Sequence, residues 1–591
     1  MVQPVVKPIF VIQSTVEFAL SKIQIRRSWV IELIREDLFI MKEFLEGFVP
    51  YKKKDAEKYN RLRWWLGLTL GDLLDKAADV YPDKEAFVDR ESRLTFGQAR
   101  EKTNRLAISL MELGIAPRDR VLVQFPNWNE FIFAYFAVQK IGAIAVLLID
   151  RYRQYEIGHL IQLTGATSWI VAEKFKKTDY LPIVEDVLKE HPQLKNIILA
   201  RSDGHDSFFG MEKLIQEAKL DAANLKRLAK RKPDPMEVAH MGPTGGTTGL
   251  PKVVPRTHNS LVCTMEYASY AWEVNLHDIC LLAGPVGHDL AFTKGLCSSL
   301  FTLGKTVFLD STDMKDVCET IQKEKVTTIV WTPTLAKRLL DFEGLKNYDL
   351  SSLRGMHCGG SPSTPEIVQG VREDLHSNFY NGYGGTEGPT TLTRTNDSVE
   401  MILHTVGKPT CPYDTYKVVS PDGKELPPNT PGELMIKGPG VFTGYYKAPE
   451  ENEKVFNKDG FFRTGDLAKI DEKGIVTLTG RIKEIIKRGG ESISATEIEN
   501  LIVSHPEVNF VAVIPMPDPV FGERVCAYIQ PKPGASLSFE KIIAYLKEKK
   551  ASVLQLPERI EFIETMPFTK AEKVDKKFLR EDIERKLKAA T

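Results

Sequence analysis

Thr244-Gly245-Gly246-Thr247-Thr248-Gly249-Leu250-Pro251-Lys252 puts three glycines, three threonine hydroxyls and one lysine into nine residues. Glycine lets a backbone bend until several N–H groups point at one anion. The hydroxyls add neutral donors, and Lys252 adds a mobile positive charge. In chemical terms this is a loop for gripping a polyphosphate. It is not the G-x-x-x-x-G-K-S/T loop, because Val253 follows Lys252. A flexible Gly/Thr surface loop has the same composition, so the rest of the chain must decide.

The 591 residues are 42% hydrophobic and 27% charged, enough for several domains with large cores. Lys+Arg and Asp+Glu both number 79, so no global field argues for nucleic acid and no acidic tail is present. Seven cysteines contain no C-x-x-C pair, which points to reduced thiols in a cytoplasmic protein. No apolar run reaches 18 residues, so no membrane span is expected. Residues 1–40 lack the layout of a secretory signal. They read as a loosely attached extension or an over-long gene start, with Met41 as an alternative start and a mitochondrial-type presequence disfavoured by acidic residues.

Apolar strands alternate with amphipathic helices. Val121 to Phe125, the helical stretch Trp128 to Ile141 and Ala143 to Leu148 form a β-α-β unit of a parallel sheet. Further strands are expected at Ser168–Ala172, Asn196–Ala200, Thr306–Leu309 and Thr327–Trp331. Lys226 to Pro235 reads as a solvated basic linker. After Gly432 short β runs appear, and a compact α+β unit follows Gly480. The expected fold is α/β: a large N-terminal domain of covered sheets with a β-rich part (41–480), then a small mobile α+β domain (481–591).

Four more stretches carry chemistry. Gly359-Gly360-Ser361 lets backbone lie flat against a ring. Tyr383-Gly384-Gly385-Thr386-Glu387 offers a ring, a hydroxyl and a carboxylate suited to Mg²⁺ on a phosphate. Asp466, after Thr464-Gly465, can accept from both ribose hydroxyls. Gly480-Arg481 through Gly489-Gly490 marks the domain junction. Each alone has a bland reading as a turn. Their order and spacing together resemble the adenylate-forming superfamily of acyl-CoA synthetases, adenylation domains and luciferases.

That resemblance implies two half-reactions. A carboxylate attacks the α-phosphate of ATP to give an acyl-adenylate; a thiol then displaces AMP, and the steps can run backwards to form ATP. It implies that Thr244, Gly245, Gly246, Thr247, Thr248, Gly249 and Lys252 hold the β/γ-phosphates. Thr386 meets the α-phosphate and Glu387 holds Mg²⁺. Asp466 and Arg481 take the ribose, and Gly360, Ser361, Tyr383 and Gly384 border adenine. Lys573 bridges carboxylate and α-phosphate, with Lys570 close enough to compete, since Glu572 replaces the family's glycine. The small domain swings at Lys483 and brings Gly489-Gly490 to the acyl site for coenzyme A.

The acyl pocket is expected from His288, Asp289, Phe292, Lys294, Gly359 and Gly385, with Asp289 and Lys294 forming an ion pair at its wall and His288 flanking the acyl group. The motif context is similar to aryl-acid–AMP ligases and benzoate-type ligases. Asp289 and Lys294 replace the Asn and Ser that meet ring hydroxyls there, so a benzoate-like or alicyclic acid is expected. CoA is the expected acceptor, with a separate carrier protein as the alternative.

Overall fold

Runs of β-branched residues buried on both faces form parallel strands when helices cover them. Strand Arg120–Phe125 pairs parallel with Ile144–Ile149, and helix Glu130–Lys140 connects them, as the sequence pattern requires. The computed structural model describes residues 44–205, 207–244, 251–361, 363–570 and 573–590. The extension at 1–40 and the loop residues Gly245, Gly246, Thr247, Thr248 and Gly249 lie outside the described residues, as does Glu572. The chain divides into a unit 1–46 and a unit 47–591, and the second holds every sheet found among the described residues.

Among the described residues, one eight-stranded sheet is centred on Val238–Pro243, Ile144–Ile149, Arg120–Phe125 and Ser168–Ala172. A nine-stranded sheet carries Ile279–Leu282, Thr328–Trp331, Gly355–Cys358 and Asn378–Gly384 at its middle. A four-stranded antiparallel sheet, Thr415–Val419 to Val476–Arg481, is the β-rich part. The small α+β domain packs helices Ala495–Val503 and Phe539–Glu548 on a five-stranded sheet through Ile486, Ile498, Val525 and Ile542. The fold is therefore α/β, with a large N-terminal and a small C-terminal domain.

Local sequence sets the boundaries. Thr69 and Asp72 form a reciprocal capping box on helix Leu70–Val80, and Thr95 and Gln98 form one on Phe96–Glu112. The reading of Lys226 to Pro235 as linker is corrected at its start. Asp221 caps helix Ala222–Ala229, whose last turn contains Lys226 and Arg227, where cations suit the helix dipole. All seven cysteines are free and buried.

One buried cation ties these parts together. Arg256, 1% exposed on strand Val253–Thr257, donates to Ser260 O (3.2 Å), Thr264 Oγ1 (2.9 Å), Gly440 O (2.8 Å) and Thr386 O (3.0 Å).

His258 caps in the same region: its Nδ1 accepts from Leu70 N at 3.2 Å, and burial holds its pKa down to about 3. The unfolded chain takes up a proton near pH 6.5 that the folded chain refuses. Stability from this group is complete above that pH and is lost as pH falls toward 3. His258→Asn, which keeps an acceptor without the titration, is expected to flatten the pH 7-to-5 loss of unfolding free energy by up to about 2 kcal/mol. An unchanged slope in denaturant titrations at the two pH values contradicts this.

Candidate active site

Strands Val238–Pro243 and Val253–Thr257 pair antiparallel up to Pro243–Val253. Thr244 N donates to Lys252 O (2.8 Å), and Lys252 N donates to Thr244 Oγ1 (3.2 Å). Thr244 and Lys252 are thus held side by side at the end of this strand pair. Lys252 pairs with Glu451 and lies over the Tyr445 ring, 4.8 Å from its centre. Tyr445 donates its hydroxyl proton to Glu387 Oε1 at 2.8 Å. Neither Tyr445 nor Glu451 stands out in the sequence; an acidic first helical turn at Pro449–Val455 was the only signal.

Thr386 is seated by small residues. A Cβ on Gly242 would lie 2.7 Å from Thr386 Cγ2. Gly388 has φ +106°, and a Cβ there would fall 2.1 Å from Gly440 O, so only glycine lets the chain return this closely. Asp466 is 6% exposed; it accepts from Tyr383 Oη (2.6 Å) and from Arg481 Nε (2.7 Å). Strand pairing sets Asp466 opposite Arg481. Two oxygens with spare lone pairs can still accept a diol.

The two competing lysines separate. Lys570 pairs with Glu156, and its carbonyl accepts from Arg151 Nη1 at 3.2 Å. Lys573 turns inward: its Cε lies 3.7 Å from where a Gly360 Cβ would be, and Thr569 N donates to its carbonyl at 2.7 Å. Burial, then Arg481, lowers the pKa of Lys573, while Glu387 and Asp466 oppose that fall. Gly360 itself is exposed at φ +91°, Ser361 is half-buried, Gly384 is exposed and Gly385 half-buried beside Glu387.

His288 is half-buried; burial, then Lys573, lowers its pKa to about 4, so it is neutral at pH 7. It lines a narrow cleft with Asp289, His240, Gly242 and Thr386. Phe292 is fully buried, its ring 4.8 Å from Tyr135 and 5.2 Å from His240, and adds core rather than open surface. The expected Asp289–Lys294 ion pair does not form. Thr293 Oγ1 donates to Asp289 (2.8 Å), and Lys294 Nζ donates to Thr390 Oγ1 (2.8 Å). Each charge meets a nearer hydroxyl first. Gly489 and Gly490 form an exposed turn between Ile485–Arg488 and Glu491–Ser494, with Gly489 beside Phe521. Lys483 is exposed in the turn Ile482–Glu484.

Beyond Asp150, a larger cleft of about 440 Å³ is lined by Arg151, Arg153, Lys176 and Lys177. Among the described residues no cluster of three His, Cys, Asp or Glu side chains could hold a metal, and no helix is long and apolar enough to cross a membrane. The single carboxylate of Glu387 suits Mg²⁺, which keeps water and phosphate oxygens as its other ligands.

The Lys252–Glu451 pair must open for Lys252 to meet a phosphate. Glu451→Gln is expected to lower the KM for ATP by about twofold to fivefold, the worth of a part-exposed pair. An unchanged or raised KM contradicts this.

Residues 74–446 match the AMP-binding enzyme family and residues 497–573 the AMP-binding enzyme C-terminal domain. The chain is 34% identical over 92% of its length to 2,3-dihydroxybenzoate-AMP ligase of Bacillus subtilis, covering 99% of that protein. It is 32% identical to the salicyl-AMP ligase / salicyl-S-ArCP synthetase of Mycobacterium tuberculosis, over 90% of this chain and 94% of that one. It is 32% identical to a salicylyl-CoA synthase / salicylate adenylyltransferase of a Streptomyces species, over 91% and 97%. With both domains matched and a relative above 30% identity covered almost end to end, the chain belongs to the AMP-binding enzyme family and is an adenylate-forming ligase.

Proposed function

We propose that the protein activates a small cyclic carboxylic acid with ATP and passes the acyl group to the thiol of a separate carrier protein. The observation that carries the reading is Lys573. It comes from the far end of the chain yet its Cε lies beside Gly360, where Glu387 and Asp466 favour its charge and Arg481 opposes it. Such a cation neutralises charge where a carboxylate meets an α-phosphate, the main demand of the first step.

In this reading the glycine–threonine segment and Lys252 hold the β/γ-phosphates, and Asp466 and Arg481 hold the ribose. Thr386 steadies the α-phosphate. Glu387 would hold Mg²⁺, which supplies positive charge to the phosphate oxygens. Neutral His288 flanks the acyl group without adding charge. The substrate carboxylate oxygen bonds to the α-phosphorus as pyrophosphate leaves; the thiolate sulfur then bonds to the acyl carbon as AMP leaves.

The choice of acceptor shifts from CoA, the first expectation, toward a carrier protein because of the name of the Mycobacterium relative. The Streptomyces relative favours CoA as the second reading. The basic cleft of Arg151, Arg153, Lys176 and Lys177 suits the phosphate of either thiol arm. For the domains we propose a boundary at 480/481 and a hinge at Lys483.

Pyrophosphate–ATP exchange over ring, short-chain and long-chain acids tests the first step; mass detection with CoA and with a pantetheinylated aryl carrier protein tests the second. Ring-acid-dependent exchange with transfer to the carrier supports the reading. A strict long-chain preference overturns the acid class, and transfer to CoA alone overturns the acceptor. Lys573→Ala is expected to cut exchange by about 100-fold or more, and Lys570→Ala far less; the reverse order contradicts the assignment. Lys483→Pro is expected to spare exchange and suppress thioester formation; equal loss in both contradicts the hinge.

A further inference from the structure

Strand Ile144–Ile149 runs into helix Gln154–Thr164 through a turn whose carbonyls are taken from inside the domain. Gln124 Nε2 donates to Ile149 O (3.0 Å) and Tyr152 O (3.2 Å), and Tyr180 Oη donates to Asp150 O (2.7 Å). In the first turn of the helix, Glu156 Oε2 accepts from Arg153 N at 3.1 Å, where an anion suits the helix dipole. Glu156 is therefore held by its own helix, on a fixed base, whatever its other oxygen meets. That other oxygen, Oε1, accepts from Lys570 Nζ, and Arg151 Nη1 donates to Lys570 O at 3.2 Å. Lys570 is gripped by both side chain and main chain.

Lys573 is tied to the same few residues. Thr569 N donates to Lys573 O (2.7 Å), Lys573 N donates to Thr569 Oγ1 (3.3 Å), and Phe568 bridges antiparallel to Val574. Lys570 follows Thr569 directly, so seating it fixes the backbone from which Lys573 reaches Gly360. Three residues after Glu156, on the same helix face, His159 Nε2 donates to Pro251 O at 2.9 Å. A carbonyl only accepts, so that nitrogen carries the proton. Pro251 precedes Lys252. One helix thus touches both segments that bring a lysine to the site.

We infer that Glu156 and Lys570 are positioning residues for adenylation: their ion pair, backed by Arg151, seats Lys573 at the α-phosphate, at a spacing from Lys252 that helix Gln154–Thr164 sets. This rests on the proposed role of Lys573 and gives Lys570, its competitor in the sequence, a separate task. Lys570 touches no reacting atom and acts through Lys573. A part-exposed pair contributes a small factor. That suits a contact that opens when the small domain turns at the proposed hinge.

The test is a double-mutant cycle on kcat and KM in pyrophosphate–ATP exchange, with the ring acid that the wild type exchanges fastest. Beside it runs acyl transfer from the chemically prepared adenylate of that acid to CoA and to a pantetheinylated aryl carrier protein. Glu156→Gln keeps an acceptor for Arg153 N, and Lys570→Met keeps the length of the side chain. Each is expected to lower the exchange kcat by about twofold to fivefold with little change in the KM for ATP, and the two together no more than either alone. Lys570→Arg, which keeps the charge, restores most of the loss. Transfer from the supplied adenylate stays at the wild-type rate or rises, because Lys573 serves the first step. Additive losses, equal loss in both half-reactions, or unchanged exchange in both single variants overturns the inference and leaves the pair as surface structure. A loss of about 100-fold in Lys570→Met also overturns it and makes Lys570 the catalytic lysine. Undiminished exchange in Lys573→Ala overturns the reading of Lys573 itself, a separate outcome.

Discussion

The guanidinium of Arg256 is the constraint on which the site depends. It is buried, carries five donors in a rigid fork, and is met by oxygens from three parts of the chain rather than by a carboxylate. The helix that follows it supplies Ser260 and Thr264, and the other segments supply Thr386 O and Gly440 O. Removing it would take its donor from Thr386 O, at about 1–3 kcal/mol, while Thr264 Oγ1 still donates to Ser260 O and Gly440 O. Thr386 is therefore fixed from behind, against Gly242 on the strand that leads to Thr244.

Around that point the remaining groups form a connected set. Glu387 holds Tyr445, whose ring underlies Lys252. Asp466 holds Tyr383 and Arg481. Burial and Arg481 disfavour the charge of Lys573, while Glu387 and Asp466 favour it. Lys252 and Arg481 each pair with a carboxylate, Glu451 and Asp466. The arrangement suits a polyanion that exchanges into those contacts, and in the proposed cycle a loss of Lys573 from the cleft would leave room for a thiol.

Much of the fold was legible because period and burial agree. Strands Ser168–Ala172 and Asn196–Ala200 are largely apolar runs of strand length and appear at those bounds. Motif spacing gathered Thr244, Lys252, Thr386, Glu387, Asp466 and Arg481, since strand pairing and glycine turns fix their backbones. What failed depends on side-chain competition. Asp289 and Lys294 look like a pair in sequence, yet each finds a threonine hydroxyl nearer than the other. Phe292 reads as pocket wall but packs in the core, because helix Leu290–Cys297 turns that face toward Tyr135. Glu451 carries no pattern that announces a partner 199 residues away.

The most direct measurement is a crystal structure of the full chain with a non-hydrolysable benzoyl-adenylate analogue. The expected result places the ribose hydroxyls on Asp466 and the sulfamoyl linker between Thr386 and Lys573. The ring then enters beside Gly359. An adenosine bound away from Asp466, or a linker with no contact to Lys573, contradicts the claim that these residues form one adenylating site.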